Sequence, residues 1–252
     1  MKILFVGDVY GTKGIEALER FLPEIKRDTG YHMLIINGEN SADGLGIREA
    51  EYKAMMQLGA HAITLGNHGF SKREIFNFID DSRLVRPINY PQNTPGKGLQ
   101  IVRFNNETLA VISVMGRVFM HDPLNNPFEA LDNVLENVKA DIILVDVHAE
   151  ATSEKLAIAH YLDGRVTAVV GTHTHVQTND AMQLPKGTLY ITDVGMTGAL
   201  FGILGADKEL VMQKFLTGMP TRLKPSDSFN LQLNAVLIDP DSKTIKTIQK
   251  FN

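Results

Sequence analysis

The stretch that decides the fold is Ala62-Ile63-Thr64-Leu65-Gly66-Asn67-His68-Gly69. Its first four residues are an apolar run too short for a helix, and the β-branched side chains within it are typical of a buried strand. Gly66 allows a sharp turn where the strand ends. An amide and an imidazole therefore follow directly at the carboxyl end of a strand, which is where ligands bind in an open parallel sheet.

Polar side chains follow other predicted strands in the same way. These residues are Asp8, Glu39, Asn67, His148, and the pair His173 and His175. Parallel strands of one sheet end at a common edge, so we expect five strands to bring these side chains together at one edge. Each residue alone could cap a helix or close a turn, but their shared placement favours a functional site.

Predicted strands alternate with predicted helices along the chain, which is the pattern of an α/β fold. Strands are predicted over residues 3–6, 33–36, 62–65, 142–147, 166–170 and 188–192. Helices are predicted over residues 15–27, 48–58, 128–138, and from a cap at Thr152 or Ser153 to residue 162. Hairpins are predicted for 100–104 with 109–114, and for 230–238 with 244–248. Because no linker or repeat separates these elements, we expect one domain spanning residues 1–252.

Local patterns give further expectations. Pro23 should distort or split the first helix, and Gly30 should end it. Gly11-Thr12-Lys13-Gly14 lacks the spacing of a phosphate-binding P-loop, so we expect a plain turn there. Ser71, with Glu74 three residues further on, should form a capping box ahead of a helix.

Composition narrows the function classes. Apolar residues at 44% and charged residues at 21% are ordinary for a soluble globular protein of 252 residues. The net charge of −4 gives no general attraction for nucleic acid or for an anionic membrane. The absence of cysteine excludes disulfides and thiolate metal sites. No segment resembles a signal peptide or a membrane span, so we expect a cytoplasmic protein, and a homo-oligomer stays open.

The polar residues at the strand ends are suited to binding metal ions. Carboxylates, amide oxygens and imidazoles without thiolates suit iron, manganese or zinc, of which we favour iron. Three imidazoles and two carboxylates are too many for one tetrahedral ion but suit two adjacent ions. Glu39 could bridge the ions with its two oxygens, while His173 and His175 could point toward different ions. His32 and His61 precede predicted strands, at the far edge, and we expect both to be structural.

These motifs, taken in order, resemble those of the calcineurin-like metallophosphoesterases, whose fold is a layered α/β/β/α sandwich. The matching segments are Gly7-Asp8, Gly38-Glu39-Asn40, Gly66-Asn67-His68, His148 and Gly171-Thr172-His173-Thr174-His175. Two positions depart from the usual family pattern: Tyr10 stands where a His is usual, and Glu39 stands where an Asp is usual. Together with the stretches 146–155 and 192–198, these departures resemble the YmdB-like branch of bacterial phosphodiesterases. That branch is associated with hydrolysis of cyclic nucleotides, including 2′,3′-cyclic AMP.

The resemblance also implies a set of ligands for each ion. The first ion would be held by Asp8, Glu39, Asn40 and His175. Glu39 would bridge to a second ion, held also by Asn67, His148 and His173. Asn40 would then take the place left open by Tyr10.

The resemblance further implies a mechanism, in which water bridging the ions attacks phosphorus in line. His68 would bind no metal and would act as the general acid that protonates the departing ribose oxygen. The substrate would be a small phosphoester. Two alternatives stay open: a phosphomonoesterase or nucleotidase of the same fold, and a non-catalytic regulatory protein that binds metal.

Overall fold

Two stacked β-sheets form the centre of the computed structural model, which describes residues 1–252. The strands are β1 Ile3–Val6, β2 Asp8–Val9, β3 Met33–Asn37, β4 Ala62–Thr64, β5 Leu84–Val85, β6 Leu99–Phe104, β7 Glu107–Met115, β8 Ile142–His148, β9 Ala168–Thr172, β10 Met182–Gln183, β11 Leu189–Ile191, β12 Met196–Ala199, β13 Leu231–Asp239 and β14 Thr244–Phe251. The first sheet has the order β2-β12-β13-β1-β3-β4-β5, with β14 paired to β13. The second has the order β10-β11-β9-β8-β7-β6. Both predicted hairpins are confirmed as antiparallel pairs, β6 with β7 and β13 with β14.

Helices accompany both sheets. They are α1 Gly11–Thr29, α2 Glu49–Gln57, α3 Pro127–Leu135, α4 Thr152–Leu162 and α5 Lys208–Thr217, with a 3-10 helix over Arg73–Asn77. The first four correspond to predicted helices, whereas α5 was not predicted. The apolar residues of α5 are spread around the helix and do not form one narrow face, and only Val211 among them is buried. None of these helices is both long enough and apolar enough to span a bilayer.

The side chains of the strands create separate apolar layers. In β1, Leu4 and Val6 pack in the cluster that contains α1 and α2, while Ile3 and Phe5 pack against strands of the second sheet. Successive side chains point to opposite faces of a strand, so a strand covered on both faces is apolar throughout. The outer face of the second sheet, which includes Val145, packs against α3 and α4. The layers therefore run helix, sheet, sheet, helix, and the predicted α/β class is confirmed.

The polar strand ends come from both sheets, not from one. Strands β1, β3 and β4 are parallel neighbours in the first sheet, and β8 and β9 are parallel neighbours in the second. The carboxyl ends of the two sets meet across the gap between the sheets, where Oε1 of Glu39 lies 3.0 Å from Nε2 of His148. The expectation of a single sheet edge was wrong because strands buried on both faces look alike whichever sheet they join.

Helix α1 begins earlier than predicted and continues through Pro23. Residues 11–14 form its first turn, and the N–H of Gly14 donates to the carbonyl oxygen of Tyr10 at 3.0 Å, which is the first hydrogen bond of the helix. Pro23 removes a backbone hydrogen bond, but Phe21 and Ile25 on either side of it are buried against the first sheet and keep the helix continuous. Gly30 ends the helix as predicted, with a left-handed φ of 63°.

Two predicted helix caps are wrong. Ser71 and Glu74 do not form a capping box, because Oε1 of Glu74 accepts instead from the N–H of Glu49 in α2, at 3.0 Å. The segment Arg73–Asn77, which contains Glu74, forms a 3-10 helix and not the predicted α-helix. Helix α4 is preceded by Ala151 and has no side-chain cap, because Thr152 already lies inside its first turn.

Candidate metal centre

Four side chains that are able to bind a metal ion converge in the gap between the sheets, and we call them the His148 group. They are Glu39, Asn67, His148 and His173. Nε2 of His148 lies 2.9 Å from Oδ1 of Asn67, 3.0 Å from Oε1 of Glu39 and 3.1 Å from Nδ1 of His173. The ligand atoms of Glu39, His148 and His173 all lie within 4.8 Å of one another, a spacing at which one ion can bind all three.

The hydrogen bonds behind His148 determine which ring nitrogen faces this group. The Thr172 hydroxyl donates its hydrogen to Oδ1 of Asp146 at 2.7 Å, so it accepts from Nδ1–H of His148 at 2.8 Å. Asp146 is fully buried, also accepts from the Thr64 hydroxyl at 2.6 Å, and has its pKa raised by burial to about 6. Nε2 of His148 is therefore left to bind in the His148 group. Partners that fix an imidazole in this way strengthen metal binding.

Glu150 orients His173 from the other side. Nε2 of His173 lies 3.1 Å from Oε2 of Glu150, and a carboxylate only accepts, so this ring nitrogen carries the hydrogen. Nδ1 of His173 and Nε2 of His148 then face each other at 3.1 Å, with Oε1 of Glu39 beside them, so a proton or a metal ion is needed between them. Acceptors crowded together away from water repel one another unless a positive charge lies between them. The donor set therefore fits a bound metal ion.

Asp8, Asn40 and His175 form a second cluster, which we call the His175 group. Nδ1 of His175 donates to the carbonyl oxygen of Leu204 at 3.0 Å, so its Nε2 faces Oδ1 of Asp8, 3.9 Å away. The amide nitrogen of Asn40 lies 3.3 Å from Nε2 of His175 and 3.5 Å from Oδ1 of Asp8. Binding of an ion through the Asn40 oxygen requires the amide to rotate about its Cβ–Cγ bond.

Glu39 connects the two groups. Its Oε1 lies 3.0 Å from Nε2 of His148 and 3.2 Å from the amide nitrogen of Asn40. Its Oε2 accepts the backbone N–H of His68 at 2.9 Å. Only Oε1 of Glu39 lies between the two groups. From the sequence we had suggested that both carboxylate oxygens would do so, but Oε2 is held by the backbone of the turn after β4.

His68 lies beside both groups without joining either. Its side chain lines a cavity that is also lined by Glu39, Asn40, His173 and His175, and its Nε2 lies 3.3 Å from the amide nitrogen of Asn67. Gly66 is required nearby for a reason other than the predicted turn. Its φ is not positive, but a Cβ at this position would lie 2.2 Å from the ring of His148. A larger residue at Gly66 would therefore displace His148.

The turn that carries two of the imidazoles is strained and anchored. His173 and His175 have φ values of 101° and 66°, which residues with a Cβ rarely adopt. Between them, Thr174 donates both its backbone N–H, at 3.0 Å, and its hydroxyl, at 2.8 Å, to Oδ2 of Asp193. The same oxygen lies 2.7 Å from Nζ of Lys155, and both members of this ion pair are buried. The buried ion pair of Lys155 and Asp193 therefore holds the strained turn in place through Thr174.

The charges in the His148 group are strongly coupled. Burial opposes ionisation of Glu39, but His148 outweighs it and lowers the pKa of the carboxyl to about 2. Burial also opposes protonation of His148, whereas Glu39 and Asp8 raise the pKa of this imidazole to about 9. Burial and the charge on His148 lower the pKa of His173 to about 3. The group therefore requires one positive charge, which a proton or a metal ion can supply.

The structure places every residue predicted as a metal ligand in one of the two groups. These residues are Asp8, Glu39, Asn40, Asn67, His148, His173 and His175. His32 and His61 lie away from both groups and accept backbone N–H groups of Lys2 and Leu34, which is consistent with the structural role expected of them.

The supporting residues were not predicted. They are Asp146, Glu150, Lys155, Thr172 and Asp193. Asp146 carried a signal, since an acidic residue inside an apolar strand needs a buried partner. Lys155 carried none, because a helical lysine is normally exposed. Tyr10, the position where the family usually has a His, packs its ring edge-on against His175 with centroids 5.7 Å apart.

A two-sheet sandwich with carboxylate, amide and imidazole donors gathered at its strand ends is the arrangement expected of a calcineurin-like metallophosphoesterase. Residues 4–251 match the family described as YmdB-like protein, and the chain belongs to that family. The predicted membership in the YmdB-like branch is thereby confirmed.

Individual relatives cover nearly the whole chain. It is 49% identical over 252 residues to the 2′,3′-cyclic-nucleotide 2′-phosphodiesterase of Bacillus subtilis (strain 168), covering 99% of this chain and 95% of the relative. A crystal structure of a hypothetical protein from Thermus thermophilus has a TM-score of 0.95 at 44% identity, with 100% of both chains covered. The crystal structure of a novel phosphatase from Mycoplasma pneumoniae has a TM-score of 0.90 at 34% identity, covering 100% of this chain and 93% of the other.

Proposed function

We propose that this protein is a metal-dependent phosphodiesterase that hydrolyses cyclic nucleotides, with 2′,3′-cyclic AMP as a substrate. The observation that carries the proposal is the convergence of Nε2 of His148, Nδ1 of His173 and Oε1 of Glu39 at one buried point, where each can bind a metal ion. The similarity to the Bacillus subtilis enzyme supports the choice of substrate. Because the donors come from both sheets, we also propose that residues 1–252 act as one domain.

We infer that the site would hold two metal ions. Asp8, Asn40 and His175 would hold the first, the remaining members of the His148 group would hold the second, and Glu39 would be shared. The donor chemistry suits iron, manganese or zinc. Such ions, when bound, provide Lewis acidity that activates a water molecule and neutralises charge on the phosphoryl group.

The protein's own side chains supply orientation and a proton. Thr172 and Leu204 keep Nε2 of His148 and of His175 directed into the site. His68 lines the cavity, and its ring contacts the His148 group only through the amide nitrogen of Asn67, so it can face the scissile bond. A ribose oxygen is a poor leaving group as an alkoxide, and protonated His68 donates the proton that it needs.

Metal analysis combined with a substrate panel tests the proposal. The purified protein is analysed for metals per chain and then assayed on 2′,3′-cyclic AMP, 3′,5′-cyclic AMP, adenosine 3′-monophosphate and p-nitrophenyl phosphate. We expect two ions per chain, hydrolysis of a cyclic diester, and loss of activity on chelation that Fe²⁺, Mn²⁺ or Zn²⁺ restores. Hydrolysis of monoesters alone would instead identify a phosphomonoesterase. Two bound ions without turnover of any phosphoester would identify a regulatory metal-binding protein.

A further inference from the structure

The cavity beside the candidate metal centre has two ends of opposite character. It holds about 530 Å³. One end is formed by residues of the His148 and His175 groups together with His68. The other end is formed by large apolar side chains, which we call the apolar wall: Leu45, Ile203, Leu204, Phe215 and Leu223. A phosphoryl group needs only the metal end, so the apolar wall is available for another part of the ligand.

The apolar wall is exposed in a way that ordinary packing does not explain. Phe215 has 81% of its surface open to solvent, although it stands on a regular helix, α5. Leu45, Leu204 and Leu223 beside it are also exposed. Contiguous exposed apolar side chains around a cleft mark a binding site. An aromatic ring at such a place provides a flat face on which a nucleobase can stack.

One cationic side chain lines the cavity, together with the carboxylates of Glu39, Asp43 and Glu150. Lys214 is the one lysine or arginine that lines the cavity. It precedes Phe215 in α5 and forms no ion pair with a carboxylate, so its ammonium remains available to an anionic ligand.

Backbone contacts hold the apolar wall at a fixed position relative to the metal end. The carbonyl of Leu204 accepts Nδ1–H of His175 at 3.0 Å. Ile203 and Ala206 exchange backbone hydrogen bonds of 2.9 and 3.0 Å, which close the turn that leads into α5. The side chain of Asp207 then caps that helix by accepting the N–H of Leu210 at 3.0 Å. One continuous segment therefore carries apolar residues of the wall and orients an imidazole of the His175 group.

We propose that the apolar wall is a nucleobase subsite, in which the base of the substrate stacks on Phe215 while its phosphate lies at the metal end. The inference rests on the proposed function and adds that the enzyme recognises the base as well as the phosphate. It identifies the ligand class as a nucleotide with an aromatic base, as opposed to a small alkyl phosphodiester.

Two phenylalanine variants provide a matched test. Phe215→Ala removes the stacking ring, and Phe215→Trp keeps an aromatic face. Phe229→Ala is the control, because Phe229 is 89% exposed and does not line the cavity. Each purified protein is assayed on 2′,3′-cyclic AMP and on 1-O-methylribose 2′,3′-cyclic phosphate, which has no base.

We expect Phe215→Ala to lower kcat/KM for 2′,3′-cyclic AMP by roughly 5- to 100-fold, mainly through KM, since base–aromatic stacking has that magnitude. Its loss on the base-free substrate should be much smaller. Phe215→Trp should recover most of the activity, and Phe229→Ala should resemble the wild type. Equal losses of Phe215→Ala on both substrates, or equal behaviour of the two alanine variants, would overturn the subsite.

Binding measurements separate this inference from the proposed function. Adenosine 3′-monophosphate and ribose 3-phosphate are titrated into the wild type and Phe215→Ala by calorimetry, which needs no turnover. Tighter binding of the adenosine compound that depends on Phe215 supports the subsite even if no diester is hydrolysed. Equal affinities of the two ligands for the wild type contradict it. A lower molar mass of Phe215→Ala in light scattering would assign Phe215 to a contact between two copies of the chain, which also contradicts it.

Discussion

The two ends of the cavity are built in opposite ways. At the metal end, which we call the cavity floor and define as the His148 and His175 groups, polar side chains are mostly buried and each has a partner. At the apolar wall, large side chains such as Phe215 are exposed to solvent. A buried donor or acceptor that loses its partner is costly, whereas an exposed apolar side chain can be truncated at little cost to folding. Substitutions in the floor should therefore affect metal binding and chemistry, and substitutions in the wall should affect ligand affinity.

Glu39→Ala should have the largest effect, because it removes the side chain shared by both groups of the floor. The two proposed ions would then repel each other without a carboxylate between them. We expect at least one ion to be lost and activity on a cyclic nucleotide to be abolished. Metal content per chain, measured on the purified protein, checks this outcome. Glu19→Ala, on the exposed side of α1, is the matched control and should keep both ions. Retention of two ions by Glu39→Ala would show that Glu39 does not bridge.

His68→Ala, beside the floor, should separate proton donation from metal binding. We expect both ions to remain and the rate on a cyclic nucleotide to fall by roughly 10²–10⁴-fold. A nitrophenyl diester should suffer much less, because nitrophenolate leaves without a proton. The comparison of the two substrates in single-turnover assays is the measurement. Equal losses on both substrates would exclude His68 as the general acid.

Thr172→Val should show whether a residue behind the floor acts through the orientation of His148. The substitution keeps the side-chain shape but removes the hydroxyl that holds Nδ1–H of His148. We expect metal affinity to fall by roughly 10- to 100-fold, as for other partners of ligating imidazoles. Competition with a chelator of known affinity measures it. Thr172→Ser should restore the affinity, and Thr247→Val, on an exposed position of β14, should leave it unchanged. If Thr172→Ser does not restore the metal affinity that Thr172→Val loses, the hydroxyl is not the group that orients His148.

Asn40 should give the smallest effect in the floor and the most selective one. Asn40→Ala should weaken the ion of the His175 group and leave the other ion in place. Asn40→Asp should keep an oxygen donor and therefore the ion, but its added negative charge should move the pH–rate profile to higher pH. Asn40→Gly serves as the control for a role in the turn alone. Two ions and a native pH profile in Asn40→Gly would show that Asn40 is not a ligand.

The donors of the floor were predictable because each follows directly on a short apolar strand. Asp8, Glu39 and His148 are polar residues where a buried run ends, and that pattern depends only on neighbouring residues. The family resemblance implied two sheets, but which strands belong to which sheet was not predictable from the strand sequences themselves. A strand covered on one face by helices and on the other by a second sheet has the same apolar sequence as one covered by helices on both faces.

The supporting residues and the apolar wall could not be predicted from the sequence, for a different reason. Lys155 and Thr172 acquire their roles only through contacts with residues distant in the chain, such as Asp193 and Asp146. Phe215 looks like an ordinary core residue in sequence, and its exposure appears only once α5 is seen to bury Val211 alone. Long-range pairing and unexpected exposure are properties of the folded chain, and no local pattern encodes them.

The origin of the ligands in two separate sheets has a thermodynamic consequence. An ion shared by Glu39, beyond β3, and His148, at the end of β8, would join the sheets and bind the folded chain far better than the unfolded one. Folding stability then rises with the free metal concentration, by about 2.7 kcal/mol when that concentration is 100 times the dissociation constant. Metal supply would thus govern how long the folded protein persists as well as how fast it turns over substrate.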